Sequence, residues 1–151
     1  MEERAWRAAE PRVASLARSA ASATLAAVGR KRARLAVLLA DDARLASLNA
    51  QFRGREGPTN VLSFAAGLPG AIHLGDVALA FGVCAREAAE QGKPLSDHVQ
   101  HLVAHGVLHL LGYDHESEAE AEVMEAKERA IMAGLGVPDP YAERGAQGNH
   151  G

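Results

Sequence analysis

The chain has 151 residues, of which 48% are apolar and 4% aromatic, with a single cysteine and a formal net charge of −3. This length and apolar share suit one domain with its own core. A single cysteine excludes an internal disulfide and a cysteine-based zinc knuckle. No uncharged stretch is long enough to span a membrane, and the charged opening lacks the apolar segment of a secretory signal, so we expect a cytoplasmic protein.

Charge is distributed unevenly along the chain. The first sixty residues carry eleven lysines and arginines against six acidic residues, whereas the remainder carries five against thirteen. The densest basic cluster is Arg30, Lys31, Arg32 and Arg34. This asymmetry would let one half of the protein face a polyanion, although a run of charges is more often only solvated surface.

In the first part of the chain, apolar residues at helical spacing predict a helix over residues 12–28. The apolar run 34–40 predicts a buried strand, and Asp41 or Asp42 can cap the short helix that follows. Residues 53–60 are rich in glycine and charge and predict a loop.

In the second part, periodicity predicts two strands and three helices. We expect Ser96 or Asp97 to cap the second of these helices, and Val123, Ile131 and Leu135 to face inward from the third. The predicted elements are strands over 61–65 and 72–81, and helices over 84–91, from Leu95 onward, and over 117–133.

This order of elements predicts an α/β or α+β fold, in which helices pack on a small mixed β-sheet. We expect one domain over residues 1–137 and a flexible tail over 138–151, which has little apolar content. Cys84 lies in an apolar run, which favours a buried small hydrophobe over a nucleophile.

Three histidines form the most informative motif of the chain. His105 and His109 are four residues apart, so a helix would place them within roughly 40° of each other on one face. Gly112 is a natural place for that helix to end, and the following turn could bring His115 back toward the pair. Three imidazoles with a fourth position open to water are typical of a catalytic zinc site, with one ion per chain.

The spacing of these histidines is that of metzincin proteases, but one residue argues against a peptidase. In those enzymes the residue after the first histidine is a glutamate, the general base of peptide hydrolysis. Gly106 occupies that position here. No other side chain stands out as a general base, although Asp114, beside a candidate ligand, could orient an imidazole.

Other histidines surround the motif. His98 and His101 lie upstream on the same predicted helix, and we expect them to support a ligand or to face the substrate rather than to bind the ion. His98 is too far from His105 for both to bind one ion without a break in the helix. His73 and His150 have no such neighbours and are expected to be structural or solvated.

Three blocks of sequence resemble the YbeY family of bacterial endoribonucleases, or rRNA maturation factors. The first is HGVLHLLGYDH with the preceding KPLSDHVQHLVA, the second runs from Leu48 to Phe64 and contains Arg53 and PTNVLSF, and the third is Leu74, Gly75 and Asp76. They occur in the family's order. Trp6 follows only five residues, so we expect the family's first strand to be shortened or missing.

The resemblance implies a metal-dependent RNase selective for single strands, acting in 16S rRNA 3′-end maturation and in ribosome quality control. It implies zinc ligands at His105, His109 and His115, an essential arginine at Arg53, and ribosomal RNA and particles as partners, with ribosomal proteins or an assembly GTPase as further candidates. No membrane partner is expected. Arg53 would bind a phosphate, unless it only pairs with Glu56 at the surface.

Ser63 and His98 are weaker candidates for substrate binding, because strand and turn structure explains Ser63 equally well. Two other functions compete with the RNase. A nonenzymatic assembly or RNA-binding factor with a structural metal would bind ribosomal particles without turnover. A metallopeptidase would cleave peptides, which Gly106 argues against.

Overall fold

A computed structural model of the chain describes residues 3–53, 60–65, 72–113 and 117–141, with only the backbone for residues 3 and 51–53. Six helices and three strands are present in this part of the chain. They are α1 (Glu3–Ala9), α2 (Val13–Ala27), β1 (Arg34–Ala40), α3 (Asp42–Arg53), β2 (Val61–Ala65), β3 (His73–Ala80), α4 (Phe81–Gln91), α5 (Leu95–Leu110) and α6 (Glu118–Leu135).

The three strands form a mixed sheet in the order β1-β3-β2. The central strand β3 runs parallel to β1, with Val37 opposite Val77, and antiparallel to β2, with Ser63 opposite Val77. The prediction of a small mixed sheet covered by helices is confirmed. Among the described residues, no helix has the length and apolar character that a membrane crossing requires.

Alternate residues of the sheet pack in two different cores, because successive side chains of a strand point to opposite faces. Val77 and Leu79 lie in the larger core, with residues of α2 and α5. Ala78 and Ala80 lie in a second core with Leu45 of α3. The sheet is therefore buried on both faces, and α5 lies on the face opposite α3.

Trp6 of α1 is fully buried and joins the N-terminal helix to the sheet. Its indole Nε1 donates a hydrogen bond to the carbonyl oxygen of Ala40, 2.9 Å away, and its ring lies edge-on to Phe81 at a centroid distance of 5.3 Å. No helix was predicted for these residues, because a seven-residue helix with one aromatic anchor has little periodicity.

Most predicted boundaries agree with the structure. The strands over 34–40 and 61–65 are confirmed, and Asp41 caps α3 by accepting a hydrogen bond from the amide of Arg44 at 2.7 Å. Arg53 ends α3 rather than beginning a loop. The predicted flexible tail stays a prediction, and residues 142–151 lie outside the described part of the chain.

Two expectations about helices are wrong. Pro94 occupies the N-cap position of α5, with extended backbone and no side-chain cap, so Ser96 and Asp97 lie inside the first turn. Val123 is 53% exposed, because the buried face of α6 passes through Met124, which is offset by one residue.

The N-terminus of α4 is capped by a side chain from another helix. Its own N-cap residue, Ala80, provides no side-chain cap, but Asp42 of α3 accepts a hydrogen bond from the amide of Val83 at 3.0 Å. A Cβ atom at Gly82 would lie 2.3 Å from the Asp42 carboxylate, so the glycine is needed for this approach. The contact joins α4 to the helix that ends at Arg53.

We predict that Asp42→Ala lowers the free energy of unfolding by about 1–2 kcal/mol, the usual cost of losing a helix cap. Asp42→Asn keeps an oxygen acceptor but loses the weak ion pair with Arg86, 3.8 Å away, and the negative charge in the first turn of α3, so the free energy of unfolding should fall by a smaller amount, about 0.5 kcal/mol. Urea unfolding monitored by circular dichroism measures both values. Equal losses in the two variants would show that the hydrogen bond to Val83 contributes nothing.

Candidate metal centre

The helix that carries the histidines lies very close to the sheet at Gly106. A Cβ atom at this position would be 2.7 Å from Cγ1 of Val77, and real Cβ atoms do not come so close. The hydroxyl of Ser63 donates a hydrogen bond to the Gly106 carbonyl oxygen at 2.8 Å. A glutamate of the protease type has no room here, which gives a steric reason for the glycine.

His105 and His109 come together on α5, as their spacing predicted. Their Nε2 atoms are 3.2 Å apart and their ring centroids 4.7 Å apart. Two ligands of a tetrahedral zinc ion with bonds of about 2.05 Å lie about 3.3 Å apart, so the separation fits one shared ion. It also fits a hydrogen bond between the two rings.

Glu128 of α6 lies behind this pair and is fully buried. Its Oε2 accepts a hydrogen bond from Nδ1 of His105 at 2.9 Å. Its Oε1 accepts hydrogen bonds from Nε2 of His101 and from the hydroxyl of Tyr141. Because His105 carries its proton on Nδ1 in this arrangement, its Nε2 presents a lone pair toward His109, as metal binding requires.

The hydrogen bonds keep the buried carboxyl of Glu128 ionised. Burial alone raises its pKa, but the hydrogen bonds from His101, His105 and Tyr141 outweigh burial and lower the pKa to about 2. A carboxylate that accepts from a ligating imidazole also increases the basicity of that imidazole. The site therefore combines one fixed negative charge with two convergent nitrogens.

Glu128 and Tyr141 were not among the predicted site residues. One signal for Glu128 is present in the sequence: it shares the buried face of α6 with Met124, Ile131 and Met132, which are four, three and four residues away. A charged residue on an otherwise apolar helical face requires a partner. Tyr141 gave no signal, because it falls in the segment predicted to be a tail.

The structure does not test every residue of the predicted site. Within residues 3–53, 60–65, 72–113 and 117–141, no group of three or more histidine, cysteine, aspartate or glutamate side chains is arranged to hold an ion. His115, the predicted third ligand, and Asp114 lie outside these residues. Arg53 ends α3, but its side chain is not among those described. These assignments remain predictions.

His98 lies in a separate polar cluster near the start of α5. It is 4% exposed, and its Nε2 is 2.9 Å from Oε1 of Glu87, which also accepts a hydrogen bond from the side chain of Asn60 at 3.0 Å. Burial lowers the pKa of His98 and outweighs the opposing effect of Glu87. The role of His98 in substrate binding stays a prediction, as does that of Ser63, which joins β2 to α5.

Cys84 is buried, as predicted. Its thiol lies 3.6 Å from the backbone oxygen of Asn60, and burial raises its pKa to about 12. A thiol with so high a pKa is protonated at neutral pH and is a poor nucleophile.

Comparison with known proteins shows that the chain is similar to the members of one family. The family model described as "Endoribonuclease YbeY" matches residues 1–136. A protein of that name from Jannaschia sp. is 56% identical over 120 residues, covering 71% of this chain and 75% of the relative. Another from Cereibacter sphaeroides is 53% identical and covers 84% of this chain and 88% of the relative.

A solved structure supports the fold independently. The solution structure of a Thermotoga maritima protein superposes with a TM-score of 0.57, covering 81% of this chain and 85% of that protein, at 24% sequence identity. At this identity the likeness concerns the fold alone.

We predict that Glu128→Gln weakens zinc binding by about 10–100-fold, the usual effect of losing a carboxylate that orients a ligating histidine. Competition with a chromophoric chelator measures the affinity, and circular dichroism checks the fold. Glu122→Gln, on the exposed face of α6, is the matched control and should bind zinc like the wild type.

Tyr141→Phe provides a second variant in case Glu128→Gln does not fold. It removes one donor to Glu128 and leaves the bond to His105, so we expect zinc affinity to change by less than about threefold. Wild-type affinity in a folded Glu128→Gln protein would contradict the orienting role of the carboxylate.

A second prediction concerns the imidazole of His98. Its pKa should lie below 6.5, and Glu87→Gln should lower it further, because Glu87 favours the charged imidazole through its hydrogen bond and its charge. Lys93 and His101 also act on this ring and disfavour the charged form. Histidine NMR spectra recorded across a pH titration measure the shift. A pKa that rises in Glu87→Gln would contradict this account.

Proposed function

Because the chain belongs to the YbeY endoribonuclease family, we propose that it is a zinc-dependent endoribonuclease that cleaves single-stranded RNA. We further propose that its substrate is ribosomal RNA, that it acts in 16S rRNA 3′-end maturation and ribosome quality control, and that it works in the cytoplasm on ribosomal particles. Ribosomal proteins or an assembly GTPase are the proposed protein partners. The observation that carries the proposal is the pair of Nε2 atoms, 3.2 Å apart, with Glu128 behind it.

His105 and His109 would hold the ion, with His115 as the third ligand. When bound, zinc polarises a phosphoryl oxygen or lowers the pKa of a bound water. Glu128 would hold His105 with Nε2 facing the ion. The guanidinium of Arg53 would bind the phosphate and stabilise the negative charge that develops on it.

The close contact at Gly106 disfavours the peptidase alternative. The position that holds the general base in zinc proteases faces Val77 of the sheet and has no space for a side chain. The nonenzymatic alternative requires the same fold and the same ion, so only turnover separates it from the nuclease.

We predict that the purified protein cleaves unstructured RNA and that His109→Ala and Arg53→Ala each slow single-turnover cleavage by at least about 100-fold. Removing zinc with a chelator should abolish cleavage, and adding zinc back should restore it. His73→Ala is the matched control, because His73 is exposed on β3 and only pairs with Asp76 at 4.0 Å.

Three outcomes separate the alternatives. Full activity in both His109→Ala and Arg53→Ala would indicate a contaminating nuclease or a different site. Salt-sensitive binding to ribosomal particles without cleavage would indicate an assembly factor. Zinc-dependent cleavage of casein would indicate a peptidase.

A further inference from the structure

A preformed basic turn connects α2 to β1. The backbone amide of Ala33 donates to the carbonyl oxygen of Arg30 at 3.0 Å, which closes a four-residue turn. Gly29 precedes it with φ of 74°, and the amide of Arg30 donates to the carbonyl oxygen of Leu25 at 2.7 Å. Lys31 and Arg32 occupy the two central positions and are exposed. The backbone of the turn is therefore already formed, with two cationic side chains at its tip.

The sequence around this turn is basic and lacks acidic residues. Between Pro11 and Ala40 the chain has six lysines and arginines and no acidic residue. Among the ion pairs found in the described ranges, none involves Lys31, Arg32 or the neighbouring Arg34. We call these three cations the basic turn cluster. A cationic surface without acidic partners attracts a polyanion.

The cluster lies at the end of the sheet toward which α5 runs after Gly106. Helix α5 begins near the end of β3, where His98 meets Glu87, and Gly106 crosses Val77 in the middle of β3. His109 is one turn further along, toward the start of β3. Arg34 lies opposite His73 at that start, because β1 is parallel to β3.

Packing also places the turn near the end of α5. Val28, which precedes the turn, packs in the core that contains Leu108 and Tyr113 at the end of α5. The turn residues and Ile72 also line a cavity of about 420 Å³, and Ile72 is 65% exposed. A positively charged surface of this kind binds the backbone phosphates of single-stranded nucleic acid.

We propose that the basic turn cluster binds the phosphates of single-stranded RNA and so holds a segment of the substrate beyond the cleaved bond. The proposal rests on the proposed function for the identity of the polyanion. Lys31 and Arg32 contact successive phosphates from the rigid turn, and Arg34 extends the contact along the edge of the sheet.

The test compares two triple variants that remove the same charge. The first, Lys31→Gln with Arg32→Gln and Arg34→Gln, removes the cluster. The second, Arg4→Gln with Arg44→Gln and Arg86→Gln, removes three exposed cations at the opposite end of β1, where Trp6 bonds to Ala40 and Arg86 approaches Asp42. Fluorescence anisotropy with a 2′-O-methyl RNA 20-mer measures binding to the zinc-loaded full chain.

We expect the cluster variant to raise the Kd about tenfold at 0.1 M salt and to reduce the slope of log K against log salt by about 2, since each single-strand phosphate contact contributes about 0.7. The control variant should keep the wild-type slope. In cleavage assays the cluster variant should raise KM and leave kcat at saturating RNA unchanged. Equal losses in both variants, or a loss in neither, would overturn the proposal.

Further measurements distinguish failure of this proposal from failure of the proposed function, and RNA from other polyanions as the ligand. Cluster-dependent RNA binding by a wild type that cleaves no RNA would contradict the nuclease and support the cluster. Normal cleavage with cluster-independent binding would contradict the cluster alone. Cluster-dependent binding to phosphatidylserine vesicles or to polyglutamate, without RNA binding, would overturn RNA as the ligand.

Discussion

The close contact between α5 and the sheet at Gly106 determines where the candidate site lies. Only a glycine allows the helix backbone to approach Val77 so closely, and the bond from Ser63 fixes the helix there. Since an α-helix rises 1.5 Å per residue, the contact also fixes the positions of His105 and His109 relative to the strands. A larger residue at 106 would move both imidazoles together with the helix.

The parts of the fold that depend on local patterns could be predicted from the sequence. The strand over 34–40 is a short apolar run, and the two histidines at a spacing of four form a pair on any regular helix. Gly112, with φ of 100°, follows the end of α5, as its conformational freedom suggested. In these cases the residues that determine the structure are neighbours in the chain.

The features that could not be predicted depend on contacts between distant residues. Glu128 is 23 residues from His105, and Asp42 is 41 from Val83. In the sequence alone, a glutamate or aspartate that accepts a hydrogen bond from a remote helix cannot be distinguished from one that faces water, such as the exposed glutamates of α6. On α6 the prediction is wrong for Val123 alone, because Val123 and Met124 are similarly apolar and only packing shows that Met124 is the buried one; Ile131 is buried as predicted.

Glu128 belongs to α6, whereas the nitrogen that it orients belongs to α5. If His105 binds the proposed ion, docking of α6 and ion binding are linked equilibria, and each favours the other by the same free energy. A chain with α6 detached would lose the fixed tautomer of His105 together with the buried charge. Loss of the ion would in turn loosen α6. Protection of the α6 amides from hydrogen exchange would therefore report on whether the site on α5 is occupied.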